Sequence, residues 1–525
     1  MEKLAASLIA LSLATAASAQ SGKPPERLGE VSFANSCSPA VQADFTRAVA
    51  LLHSFWWQEG EKAFRAVLER DPSCAIATWG IATLLIGNTF ATGPTPAQAQ
   101  QAREAIARGR EPGAKTDRER DFIAAVAEYY DRFGERTHGQ RMKSLSDAFE
   151  IVAKRYPGDD EAQIFSAIYL TATQSPTDKT FASALKAAAI LEVQFKKHPD
   201  HPGVAHYLIH SYDYPPIAEK GLNAAKRYSE IAPSAPHALH MPSHIFTRVG
   251  AWQDSATTNE RSAAVAKAQN EPTDRLHAMD YMTYAYLQLA RDADARRVLE
   301  EAPRVTGINP ANRGTPYALA AIPARYALER GAWKEAAQLP LQPSRFLFTE
   351  AMTRFARALG AARSGDAAAA ERDVQELARA VEALKTAKDA YWTTEVEVQR
   401  LGGAAWVAFA KGEREEALGL MRAAADLEDK SEKSAVSPGR IMPARELLGD
   451  MLAESGRPAD ALAEYERSMA HDPNRFRSLY GVGQAAVQSS NRDKARYYFS
   501  KLDQMAGKGE LRPETEKARK YLAGN

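Results

Sequence analysis

Gly456-Arg457-Pro458-Ala459-Asp460-Ala461-Leu462-Ala463-Glu464-Tyr465-Glu466 runs on to Asp472-Pro473-Asn474, and the reading of this stretch decides the fold. Adding 34 residues carries Ala461 to Ala495 and Tyr465 to Phe499, so a small residue and an aromatic four places later recur at one period. A turn with Gly, a helix and a terminal Pro make the second half of a helical hairpin. The small residue lets the second helix approach the first, and the aromatic fills the groove between successive units. Such a unit cannot bury its apolar face alone and must stack on copies of itself.

Working outward, the same turn returns without strict spacing at Gly250-Ala251-Trp252, at Gly331 to Ala336, at Gly365-Asp366 with Ala370, and at Gly412 to Ala417. Near the start, Glu59-Gly60-Glu61-Lys62-Ala63-Phe64 runs into Asp71-Pro72, with Gly60 small and Phe64 aromatic. Alternating Val, Ile and Thr runs are missing, and helix formers with apolar residues at i, i+3 and i+4 dominate. The sequence therefore predicts an all-α chain: a helical-hairpin solenoid, or α-α superhelix, in two arrays. Gly, Pro and Asn mark 20–36, 87–98 and 302–316 as irregular. The expected organisation is a signal segment over 1–19, a flexible lead over 20–35, an N-terminal repeat array over 36–302, a linker over 303–316 and a C-terminal array over 317–525.

The period, the small residue, the aromatic and the stop together resemble the tetratricopeptide repeat. The strings Leu52-His53-Ser54-Phe55-Trp56, His206-Tyr207-Leu208-Ile209-His210, His240-Met241-Pro242-Ser243-His244-Ile245-Phe246 and Pro443 to Asp450 are similar to those of exported bacterial repeat proteins. The resemblance implies a scaffold that takes a protein or peptide partner in its concave groove. Members that clamp a peptide carboxylate use Lys, Asn and Arg at groove positions. Here His, His and Asp stand there, and Arg248 and Arg325 do not restore the clamp.

Composition sets further bounds. The chain has 525 residues, 45% hydrophobic and 25% charged, with a net charge of +1. No excess of cations is present for a phosphate backbone, so nucleic acid is not an expected partner. Lys3, the apolar run Leu4 to Ala16 and Ala17-Ser18-Ala19 before Gln20 predict a cleaved signal peptide without a lipid-attachment Cys. No later run is long enough to span a membrane, so a periplasmic or secreted location is expected. In an oxidising compartment Cys37 and Cys74, 37 residues apart, are most simply a disulfide.

Histidine is unevenly placed. Of 11 in the chain, eight fall between His198 and His277. With the turn Gly250 as position 15 of its unit, His237, His240 and His244 take positions 2, 5 and 9 of the first helix, which face the groove. One period of 34 earlier stand His206 and His210. In the next unit His277, Asp280 and Tyr284 take the corresponding places. Imidazoles at i and i+4 lie one turn apart on one helix face and can chelate a metal. His206, His210, His237, His240, His244, His277 and Asp280 are thus candidate ligands of a transition metal, zinc or copper first among those that suit imidazole. Asp213 and Tyr284 are candidate supports behind them, Asp213 as acceptor for a ring's second nitrogen. Pro242 cannot donate to the Ala238 carbonyl and should kink the helix between His240 and His244.

Competing readings remain open at this point. A single HxxxH pair is commonly hydrogen-bonded structure, and the same groove could take an anionic or aromatic ligand without metal. His198 and His201 flank Pro199 and Pro202 in a turn, and His53 suits either the groove or the core. Glu446 and Asp450 have a paired-carboxylate spacing, most simply on a solvated face, and Tyr281 and Tyr286 read as packing. Gly481-Val482-Gly483-Gln484-Ala485-Ala486 mimics a dinucleotide fingerprint but follows no strand. No nucleophile or hydrolase motif occurs, so no catalytic residue is assigned. The expectation is an exported binding scaffold, with a metal-dependent enzyme, hydrolase or oxidoreductase, on the same histidines as the alternative.

Overall fold

A computed structural model describes residues 26–90, 93–111, 113–309 and 313–524. The signal segment 1–19 lies outside the described residues. Among them there is no strand, and helices pair consecutively into antiparallel hairpins. We number the first helix of each hairpin in chain order. In the N-terminal half these are α1 (Gln42–His53), α2 (Ile76–Ile86), α3 (Asp117–Tyr130), α4 (Asp160–Ala172) and α5 (Pro202–Tyr212). The next unit is split into α6 (Pro236–His240) and α7 (Pro242–Arg248), followed by α8 (Pro272–Gln288). Then come α9 (Gly314–Glu329), α10 (Leu347–Arg363), α11 (Ala390–Ala410), α12 (Ala444–Glu454) and α13 (Phe476–Gln488).

The hairpins pack as the period requires. The Tyr465 ring fills the space that a side chain at Gly449 or Gly481 would need, since a Cβ there would lie 2.7 or 2.5 Å from it. Phe499 covers Gly483, and Phe64 covers Gly80, in the same way. The glycines of the false dinucleotide motif are therefore seats for the aromatics of neighbouring helices. This small-against-aromatic stacking makes the chain a TPR-like all-α solenoid.

The superhelix turns back on itself twice. In the first half α1 packs against α5, and in the second α8 packs against α9 and, at the far end of the array, against α13. Trp252 Nε1 donates to the Asn474 carbonyl at 2.7 Å. Buried Arg475 bonds Glu446 at 2.9 Å, Glu329 at 2.8 Å and the Tyr284 hydroxyl, clasping the two ends of the second turn. Glu446 is thus a buried partner of Arg475 rather than part of a solvated face, because ring closure covers it. Helices α5 to α8, which carry the histidines, lie where the two turns meet.

Two local features bear on the site. Met241 separates α6 from α7, and Ser243 Oγ donates at 2.7 Å to the His240 carbonyl. The lead segment differs from the flexible form expected for 20–35. Its described part, from Glu26 onward, is pinned by Arg27 N to Ser234 Oγ at 2.8 Å and Glu30 N to the Asp200 carbonyl at 3.0 Å. Phe33 stacks on Trp79 at 5.1 Å, so burial of an aromatic holds the segment down. Cys37 and Cys74 lie at disulfide-bonding distance with Cα atoms 4.6 Å apart. No helix among the described residues is long and apolar enough to cross a membrane.

Candidate metal centre

Six imidazoles gather where α5, α6, α7 and α8 converge. They form two groups of three, His206, His210 and His237 in one and His240, His244 and His277 in the other, each with a nitrogen from every ring within 4.8 Å of the others. Within each helix pair the i and i+4 rings point Nε2 at Nε2, 3.1 Å apart for His206 and His210 and 3.0 Å for His240 and His244. The groups adjoin: ring centroids of His210 and His244 are 5.9 Å apart, as are those of His237 and His240. Phe90 stacks on His210 at 4.2 Å, Tyr228 on His206 at 5.2 Å and Phe55 on His237 at 5.5 Å.

The partners behind the rings fix their tautomers. His206 donates from Nδ1 to the His53 carbonyl at 2.7 Å. His240 donates from Nδ1 to Asn259 Oδ1 at 2.7 Å, and Asn259 Nδ2 donates onward to the Ser255 carbonyl, so its oxygen faces the ring. His244 donates from Nδ1 to Asp213 Oδ2 at 2.8 Å. All three rings then carry a bare Nε2 lone pair. Between His240 and His244 two such lone pairs confront each other at 3.0 Å. Tyr281 stands 3.4 Å from His244 Nε2 but donates its proton to the Ser437 carbonyl at 3.1 Å. His237 Nε2 is buried without any partner.

Burial pushes His206, His210, His237, His240 and His277 well below the usual imidazole range, and neighbouring rings add to the effect. His244 is lowered by burial too, against the pull of Asp213. Neutral rings with free lone pairs are the form in which imidazole binds a metal.

Asp213 is the anion of the site. It accepts from Arg248 Nε at 2.8 Å as well as from His244, and the Lys433 ammonium lies at 3.5 Å. Burial would raise its carboxyl, but Lys433, Arg248 and His244 outweigh that and hold it well below the ordinary range. Lys433 is itself pushed down to about 8, chiefly by burial, with Asp213 opposing. It arrives on the loop between the helix Arg414–Glu428 and α12, which roofs the chamber and is held there by Arg325 Nη2 to the Gly439 carbonyl at 2.7 Å.

The remaining candidates are placed elsewhere. Asp280 belongs to neither histidine group: its Oδ1 pairs with Arg325 Nε, 3.1 Å away and equally buried, and its Oδ2 is buried without a partner. Tyr284 faces Trp252 and Arg475 rather than a histidine, because Arg475, at the N-terminal end of α13, supplies a guanidinium beside its hydroxyl. His53 joins Glu161 at 3.0 Å and Tyr207 at 3.0 Å, and His201 takes the other Glu161 oxygen at 3.0 Å. That network is internally satisfied. Asp450 bonds Tyr465 at 2.7 Å, away from the chamber. Sequence reasoning missed Asn259, Lys433 and the hydroxyl of Tyr281. Asn259 stands on the second helix of the hairpin and Lys433 in a distant loop, so neither falls within the first-helix pattern that exposed the histidines.

No protein-family model matches the chain, and comparison with curated proteins gives no match. Among solved structures, the chain is similar to a tetratricopeptide repeat protein from Parabacteroides merdae at 13% identity, over 55% of this chain and 98% of that one, with a TM-score of 0.29. The fold assignment rests on the helix packing above and not on that likeness.

Proposed function

We propose that the protein is an exported metal-binding scaffold whose two adjoining trihistidine groups hold transition-metal ions, zinc or copper. One observation carries this reading: His240 and His244 are both fixed as Nδ1–H tautomers, so their bare lone pairs 3.0 Å apart repel unless a cation lies between them. Two imidazoles on one tetrahedral zinc stand about 3.3 Å apart, from Zn–N bonds of about 2.0–2.1 Å, so the rings need only a small adjustment. The carboxylate behind His244 and the amide behind His240 are the kind of support that orients a ligating histidine. The Cys37–Cys74 pair suits an oxidising compartment.

The hairpin array is of a kind that also serves as a protein-binding scaffold. The loop carrying Lys433 covers the groove over the histidines, which suits that chamber to a small ligand and leaves a protein partner to the rest of the array. An enzyme reading has one observation in its favour: three protein nitrogens per group leave a coordination position for water or substrate.

Protein purified without a His-tag, stripped and then dialysed against zinc or copper, is the test. Metal retained by the wild type and lost from His206→Ala and His244→Ala, with helical circular dichroism unchanged, is the expected result. Folded wild type that retains neither metal refutes the proposal.

A further inference from the structure

Building on that reading, we infer that the six histidines form one two-copper centre, in which a pair of Cu(I) ions binds dioxygen between them. Three features lead there. First, the groups are not separate sites: the 5.9 Å ring separations between them fall within the 4.3–6.3 Å found inside the second group. Two ions held by these rings share one chamber.

Second, the donor set is neutral. Among the described residues neither group includes a carboxylate or a thiolate. Asp213 is committed to His244, Arg248 and Lys433, and Asp280, whose Oδ1 pairs with Arg325, stands outside both groups. Two divalent ions would put four positive charges into a buried space beside the Lys433 ammonium and the Arg248 guanidinium. Two monovalent ions repel each other four times less, because the energy follows the product of the charges. Zinc pairs bound so closely ordinarily need an anionic bridge, which no side chain here supplies. Third, each ion has three imidazole nitrogens, a set that satisfies Cu(I) and leaves one side open, while Phe55, Phe90 and Tyr228, stacked on the first group, keep its surroundings apolar.

The chemistry balances without a further reagent. Each Cu(I) gives up one electron and becomes Cu(II), dioxygen takes both electrons and becomes peroxide bound to the two ions, and no proton is consumed. Removal of dioxygen reverses the step.

The test loads stripped, untagged wild-type protein anaerobically with Cu(I) as its acetonitrile complex, then admits air. Expected are two copper ions per chain, a near-ultraviolet charge-transfer band that disappears under vacuum, and no electron paramagnetic resonance signal, since the two Cu(II) spins couple. His277→Ala and His237→Ala should each remove the band. Because the decisive readings come from the wild type, a variant that fails to fold does not affect the result. One copper per chain, two coppers giving full isolated Cu(II) signals in air, or two coppers with no optical response overturns the inference while leaving metal binding intact. Zinc bound at two per chain with no uptake of Cu(I) also overturns it. Failure to hold copper or zinc at all refutes the broader reading instead.

Discussion

Replacing Asp213 with Asn separates support of the metal centre from support of the fold. The change keeps the shape of the side chain and removes its charge. It weakens the acceptor for His244 Nδ1 at 2.8 Å and leaves Arg248, 2.8 Å away, and Lys433, 3.5 Å away, facing a neutral amide. Breaking a buried ion pair costs about 3–5 kcal/mol. Loss of a partner behind a ligating histidine weakens metal binding by about 10–100-fold, or roughly 1.4–2.7 kcal/mol. Asp280→Asn is the control. It breaks an equally buried pair with Arg325 at 3.1 Å but touches no ring of the two groups. Urea unfolding followed by circular dichroism should show a loss for Asp213→Asn, and it confirms that both variants are folded before their affinities are compared. Competition titrations against a chromophoric chelator should show weakened binding only for Asp213→Asn. An Asp213→Asn protein that is folded and binds metal as tightly as wild type refutes the argument, as does an equal loss of affinity in Asp280→Asn.

Four further outcomes are expected. Burial lifts the Asp280 carboxyl to about 6 despite Arg325. The folded state therefore holds that proton more tightly than the unfolded chain, and the contribution is full below about pH 4 and lost as pH rises to about 6. Wild type should lose about 3 kcal/mol relative to Asp280→Asn across that window, and parallel pH profiles of the two would contradict it. Cys74→Ser opens a 37-residue loop and should cost about 4 kcal/mol, seen as a lower melting temperature that reductant reproduces in the wild type. Gly481→Val drives a branched side chain into Tyr465, from which even an added Cβ would lie only 2.5 Å, and should cost at least about 1–3 kcal/mol. Gly419→Ala, in a helix with open space around it, should stabilise by up to about 1 kcal/mol, and thermal melts compare the two.

Much of the molecule could be read along the chain because its determinants are local. Helix periodicity and the small-against-aromatic pattern exposed the hairpins, and i, i+4 spacing put His206 with His210 and His240 with His244 on common faces. Pro242 marked the helix break because a missing N–H acts on its own helix. What the local pattern did not contain was competition from distant segments. Asp280 and Tyr284 occupy groove positions by register, yet Arg325 from α9 and Arg475, just before α13, draw them away, since a buried carboxylate or hydroxyl goes to the strongest donor within reach. Asn259, which sets the His240 tautomer, stands on the other helix of the hairpin, 19 residues away. Lys433 reaches Asp213 across 220 residues because the second turn of the superhelix closes and lays its loop over the first. The sequence by itself therefore determined which histidines share a helix face. Only the tertiary structure decided which protons they carry and which charges surround them, because those depend on atoms brought near by closure and not by the period of a helix.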